Sequence, residues 1–128
     1  MQNGLYIVAT PIGNLGDLSP RAAETLANAD VIACEDTRIA KKLFALLNIS
    51  TAGKKFIVYQ NYNEEDEAQN IINLAVNDGK SIALVSDAGS PLISDPGYRL
   101  VRKAREQNVF VTVLPGCCAL VCALQLSG

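Results

Sequence analysis

Five compact apolar runs, alternating with helical patterns, constrain this chain more than any other feature. Leu5 to Ala9 (LYIVA), Val31 to Cys34 (VIAC), Phe56 to Tyr59 (FIVY), Ile82 to Val85 (IALV) and Val109 to Leu114 (VFVTVL) read as strands buried on both faces. Between the first two, Ser19 is placed to cap a helix over Pro20 to Asn28, with Pro at its first position. Ile39 to Leu47 carries apolar residues at 39, 40, 43, 44 and 47, and Glu64 to Asp78 carries the stripe Ala68, Ile71, Ile72 and Ala75, with Asn63 as its cap and Gly79 as its stop. A fourth helix starts at Asp95 and Pro96 and buries Leu100, Val101 and Ala104. Strand and helix alternate throughout, which predicts an α/β domain: about five strands in a mainly parallel sheet, with helices on both faces.

The length of 128 residues suits one such domain, and 49% hydrophobic residues supply its core without a disulfide or metal staple. The net charge of −2 excludes a chain that grips nucleic acid by bulk electrostatics, so any RNA contact needs a local patch or another domain. There is no histidine, which removes the commonest general base, the commonest metal ligand and every Ser-His or Cys-His nucleophile. Proton transfer falls to carboxylates, Lys, Tyr or Cys. The cysteines, Cys34, Cys117, Cys118 and Cys122, lack a C-x-x-C spacing; they read as packed thiols in a reduced, cytoplasmic protein, and no metal is expected. The start of the chain lacks the pattern of a secretion signal, and Asn48-Ile49-Ser50 is a chance match to a glycosylation acceptor. Gln107 to Gly128 is uncharged, but Pro115-Gly116 interrupts it and leaves too little for a membrane span. Its apolar end predicts a face for a further domain downstream.

Phosphate-loop chemistry is excluded at Gly79-Lys80-Ser81, because position 74 is leucine and the triplet ends a helix and starts a strand. The acidic run at 64 to 67 suits a helix N-terminus rather than a metal site. Ligands of α/β sheets bind outside the carboxyl ends of the strands, and four of the five predicted ends lead into segments of ligand-binding character. Thr10 to Ser19 carries one Pro and two Gly. Glu35-Asp36-Thr37-Arg38 offers a carboxylate base and a guanidinium for a phosphate or carboxylate, although the same residues fit a plain helix start. Ser86 to Gly97 is rich in small residues, which let a ligand approach the backbone, and Pro115-Gly116-Cys117-Cys118 turns into a last helix.

Taken in order, VATPIGNLGDLSPRA (Val8 to Ala22), ACEDTR (Ala33 to Arg38), VSDAGSPLISDPGYRLV (Val85 to Val101) and LPGCCAL (Leu114 to Leu120) resemble the N-terminal domain of the tetrapyrrole-methylase class of S-adenosylmethionine-dependent methyltransferases. More closely, they resemble the branch that methylates a cytidine 2′-oxygen in small-subunit ribosomal RNA. The resemblance implies that residues 1–128 are the first of two domains, with the cofactor in the cleft between them, and that the protein is a homodimer. Pro11, Gly13, Asp87, Ala88, Gly89, Pro91, Ile93, Ser94, Pro115 and Gly116 would then line S-adenosylmethionine. Asn14, Asp36 and Thr37 would face the RNA, and Glu35, Asp17 and Arg38 would serve the reaction. Gly89-Ser90-Pro91 stands where tetrapyrrole relatives have Gly-Asp-Pro, which favours the RNA branch; Cys117 replaces the usual proline after Gly116.

Methyl transfer from a sulfonium needs in-line approach and exclusion of water more than it needs a metal, so a histidine-free site is compatible with it. A ribose hydroxyl is a weak nucleophile, and Asp17, Glu35 and Asp87 are the carboxylates that could take its proton; Glu35 belongs to the branch-specific motif. Two other readings stand beside this one: methylation of a tetrapyrrole or protein side chain, and a non-catalytic dimerisation or docking module.

Overall fold

A computed structural model describes residues 1–9, 16, 18–59, 64–85 and 98–114. Its elements run β1 (Gly4–Val8), α1 (Pro20–Asn28), β2 (Val31–Cys34), α2 (Thr37–Leu46), β3 (Lys55–Val58), α3 (Glu64–Asn77), β4 (Ser81–Leu84), α4 (Tyr98–Glu106) and β5 (Val111–Leu114). The strands form one sheet in the order β3-β2-β4-β1-β5, and every pairing is parallel. The α/β architecture is the expected one.

Side-chain alternation along the strands splits the core into two layers. Leu5, Ile7, Val31, Ala33, Ile82 and Leu84 point to the layer closed by Ala68, Ile71, Ile72 and Ala75 of α3 and by Leu100 and Ala104 of α4. Tyr6, Val8, Ile32, Cys34 and Ala83 point the other way, onto Ala22 and Leu26 of α1 and Ala40 and Phe44 of α2. The two crossovers that step toward β3 therefore use one face, and the two that step toward β5 use the other. A single hand of crossover requires that arrangement. Leu26 and Phe44 are fully buried, and each side chain contributes roughly 1.5–3 kcal/mol by leaving water.

Local chemistry explains the helix ends. Ser19 Oγ accepts from Ala22 N at 3.1 Å and Pro20 opens α1, as the sequence predicts. Helices α2 and α4 stop at Asn48 and Asn108, both left-handed at φ 57°, and the next residues donate back into the last turn: Ile49 N to Phe44 O at 2.9 Å, and Val109 N to Ala104 O at 2.8 Å. Lys54 Nζ donates to Ala27 O at 2.6 Å and Ala29 O at 2.7 Å, which ties the end of α1 to the approach to β3.

Two expectations need correction. Helix α2 begins at Thr37 rather than Ile39, because Asp36 caps it. Strands β3 and β5 are only partly buried, with Lys55 and Val113 exposed, because they are the outer strands of the sheet; only β1, β2 and β4 are covered on both faces. The caps expected at Asn63, Asp95 and Pro96 lie outside the described residues, as does the last predicted helix. Among the described residues no helix is long and apolar enough to cross a membrane.

Candidate functional site

Because all five strands are parallel, their carboxyl ends share one edge. Backbone bonds continue across that edge past the last paired residues: Tyr59 N donates to Cys34 O at 2.7 Å, Val85 N to Ala33 O at 2.9 Å and Ala9 N to Leu114 O at 3.4 Å. Ala9, Cys34, Tyr59, Val85 and Leu114 are all buried, so the edge has a firm apolar floor. Residues 10–15, 60–63, 86–97 and 115–128 follow directly from these strand ends. They contain Pro11, Gly13, Asn14, Asp87, Ala88, Gly89, Pro91, Ile93, Ser94, Pro115 and Gly116, which, like Asp17, lie outside the described residues.

Glu35, Asp36, Thr37 and Arg38 are described, and they stand between β2 and α2 on this edge. Glu35, Asp36 and Thr37 are half-buried. Asp36 has extended backbone (φ −134°, ψ 116°), and its Oδ1 accepts from Arg38 N at 2.9 Å, closing the first turn of α2. The Arg38 guanidinium folds back onto the same carboxylate, with Nε to Oδ1 at 3.3 Å and Nη2 to Oδ2 at 3.0 Å, while its side chain stays 89% exposed. The guanidinium hydrogen bond, then the backbone N–H of Arg38, hold the Asp36 carboxyl below the usual carboxylate range, and the same contact raises the Arg38 pKa.

The two adjacent carboxylates thus have different work. Asp36 caps a helix and anchors a cation, and a carboxyl held low in pKa is a poor proton acceptor near neutral pH. Glu35 precedes it at the mouth of a central strand and remains the proton-acceptor candidate of the pair. Cys34, just before, is buried, and its Sγ lies 3.7 Å from Ile57 O, which suits a packed thiol. Among the described residues no group of His, Cys, Asp or Glu could hold a metal ion.

One association escaped the sequence reading. Arg38, Lys41 and Lys42 stand at i, i+3 and i+4 on α2, so one exposed face of that helix carries three cations leading away from Glu35. The signal was the absence of any carboxylate from Thr37 to Tyr59. The clefts of about 690 Å³ beside Asn3, Ala75 and Gln107, and about 490 Å³ beside Met1, Tyr6 and Glu24, touch none of residues 35–38.

The fold is an α/β domain shared with several solved structures. Cobalt precorrin-4 methyltransferase superimposes with a TM-score of 0.74 at 18% identity, covering 96% of this chain and 49% of that one. Diphthine synthase superimposes with a TM-score of 0.69 at 20% identity, covering 94% and 47%. At such identities the likeness is one of fold. Residues 4–128 match the family described as Tetrapyrrole (Corrin/Porphyrin) Methylases, and the chain belongs to that family. It is 54% identical over 124 residues to ribosomal RNA small subunit methyltransferase I of Vibrio cholerae, covering 97% of this chain and 42% of that protein. It is 47% identical over 127 residues to the protein of the same name from Rickettsia prowazekii, covering 99% and 44%. The chain therefore spans less than half the length of these curated relatives.

Proposed function

We propose that this chain is the cofactor-binding half of an enzyme that methylates the 2′-oxygen of a cytidine in small-subunit ribosomal RNA. The observation that carries this reading is identity of about half the residues, over nearly the whole chain, to proteins named as small-subunit ribosomal RNA methyltransferases. The solved structures of tetrapyrrole and diphthine enzymes are far more distant in sequence, which favours RNA over those substrates.

S-adenosylmethionine is the methyl donor in this reading, and when bound it supplies a methyl group on a positively charged sulfur. The buried apolar floor of Ala9, Val85 and Leu114 suits an adenosyl and thioether body. Pro11, Gly13, Asp87, Ala88, Gly89, Pro91, Ile93, Ser94, Pro115 and Gly116 are assigned to hold it. Asn14 and Thr37 face the RNA, and Asp36 serves it through the Arg38 guanidinium that it holds. Glu35 accepts the proton of the ribose hydroxyl as its oxygen bonds the methyl carbon and the carbon–sulfur bond breaks; the proton then passes to water. Asp17 stands as the alternative base. Arg38, steered by Asp36, pairs a phosphate beside the target. A downstream domain closes the cleft and excludes water, and the protein works as a cytoplasmic homodimer.

The test is transfer of labelled methyl from S-adenosylmethionine to purified small ribosomal subunits by the full-length protein, with the label mapped on the ribose. Label on a cytidine 2′-oxygen supports the reading. Donor binding without label on the RNA overturns the substrate.

A further inference from the structure

The charges of this chain are distributed unevenly, and the fold concentrates the excess. From Thr37 to Tyr59 stand Arg38, Lys41, Lys42, Lys54 and Lys55 with no Asp or Glu, while the rest of the chain has six cations against thirteen carboxylates. This stretch is α2 and β3, which lie together at one end of the sheet. Elsewhere α1 mixes Arg21 with Glu24, and the other cation-rich element is α4, where Arg99, Arg102, Lys103 and Arg105 stand against Glu106, which pairs with Arg102 at 3.2 Å. Lys54 is spent on the carbonyl groups that end α1. The other four remain at the surface.

Three of them form a stripe. Arg38, Lys41 and Lys42 share the solvent face of α2, opposite the buried Ala40 and Phe44. The stripe spans about one helical turn, roughly 5–6 Å along the axis. Two of its cations are held in place: Arg38 by the two contacts to Asp36, and Lys41 with its Nζ 5.3 Å from the centre of the Phe56 ring. Held side chains have less freedom to lose when a partner binds. Lys55 stands exposed at the start of the edge strand β3 and extends the same positive end of the molecule. The stripe begins three residues from Glu35.

We infer that the outer face of α2 is the surface on which the RNA backbone lies, with Lys41 and Lys42 neutralising phosphates next to the nucleotide presented at Glu35. The inference rests on the RNA reading above and adds where the RNA runs. Of the two cation-rich helices, α2 is the one whose cations begin three residues from Glu35, so its stripe sets the direction of a polyanion as well as its affinity. No base contact is implied, because phosphate contacts fix register rather than sequence.

The experiment compares the full-length protein with Lys41→Gln/Lys42→Gln, with Lys41→Arg/Lys42→Arg, and with Lys103→Gln/Arg105→Gln on α4 as a control of equal charge loss. Affinity for naked small-subunit RNA is measured at several salt concentrations, alongside affinity for S-adenosylmethionine and methyl transfer to subunits. The α2 glutamine variant is expected to bind RNA about tenfold more weakly, with a salt slope shallower by about 1.5, since each lost phosphate contact removes close to one unit. Its KM for RNA rises while kcat and donor affinity stay, and the arginine variant restores binding. Unchanged RNA affinity and salt slope in the α2 variant overturn the inference and leave the methylation reading intact. Equal weakening in the α4 variant overturns it too, as does an effect seen with assembled subunits but not with naked RNA, which marks a protein contact. A wild-type protein that neither binds nor methylates the RNA overturns both.

Discussion

Asp30 and Ser81 clasp each other across the starts of β2 and β4. Asp30 Oδ2 accepts from Ser81 N at 3.0 Å and from Ser81 Oγ at 3.2 Å, and Ser81 Oγ accepts in return from Asp30 N at 3.1 Å. Ser81 is buried, so its amide depends on that carboxylate. Asp30→Ala leaves buried donors without an acceptor and is expected to cost about 1–2 kcal/mol, the lower part of the usual range because Asp30 itself reaches solvent. The Ser81 amide holds the Asp30 carboxyl below its usual value. A lowered pKa in the folded state stabilises above the unfolded value, near 4, and that contribution fades as pH falls through the folded one. Urea unfolding of wild type and Asp30→Asn checks this: the gap between them at pH 7 should shrink in acid, and an equal gap at about pH 2.5 contradicts it.

Gly4 begins β1 at φ 149°, and a β-carbon there would lie 2.5 Å from the Phe110 carbonyl oxygen that accepts from Leu5 N at 2.8 Å. Gly4→Ala combines backbone strain with a clash against main chain, so the β1–β5 pairing must shift, at a cost of about 2–4 kcal/mol. Gly53, at φ 77° with open space around it, carries the strain alone, and Gly53→Ala should cost about 1–2 kcal/mol. Chemical denaturation of the two variants separates clash from strain, and equal losses would show that contact with Phe110 is not the cause.

Much of the fold was legible because burial imprints itself on both periodicities. Ala68, Ile71, Ile72 and Ala75 were readable as one stripe and are all fully covered in α3. The central strands read as unbroken apolar runs because helices cover both their faces. Strand order was not legible: the runs in β3 and β5 look like the central ones, and nothing local in Phe56 or Val111 states that a strand lies outermost. The ends of α2 and α4 were marked by Asn48 and Asn108, residues whose short polar side chains tolerate left-handed backbone.

Asp36 makes a prediction of its own. The carboxylate bonds both the Arg38 amide and its guanidinium, so Asp36→Asn keeps the cap and weakens the ion pair, whereas Asp36→Ala loses both. Thermal melting should rank wild type, Asp36→Asn and Asp36→Ala in falling order at pH 7. Because the carboxyl is held low in the folded state, the advantage of wild type over Asp36→Asn is present above the unfolded pKa and is lost as pH falls through the folded one. A pH-independent gap between those two proteins contradicts the ion pair.

The site was legible as a place before it was legible as chemistry. Glu35 to Arg38 stood out as a charged cluster at a strand end, but whether Asp36 serves the helix or a substrate is decided by backbone geometry that the letters do not carry. Its cap role needs the Oδ1 to Arg38 N contact, and the companion role of Arg38 needs the side chain to fold back. Lys41 and Lys42 were missed because single lysines on a helix are ordinary; only their shared face with Arg38 gives them direction.

With Asp36 committed to the helix, the proton-accepting role proposed for the motif falls to Glu35, and the two residues can be told apart. Glu35→Gln in the full-length protein preserves size and removes the base, so methyl transfer should fall about 10²–10⁴-fold while affinity for S-adenosylmethionine stays. If Glu35 is the base, the pH–rate profile of the wild type should change shape in Glu35→Gln and keep its shape in Asp36→Asn. A purely structural role for Glu35 would lower donor affinity or melting temperature and leave the shape of the pH profile unchanged. If Glu35→Gln transfers methyl at close to the wild-type rate, the proton goes elsewhere, and Asp17 and Asp87, beyond β1 and β4, become the residues to replace.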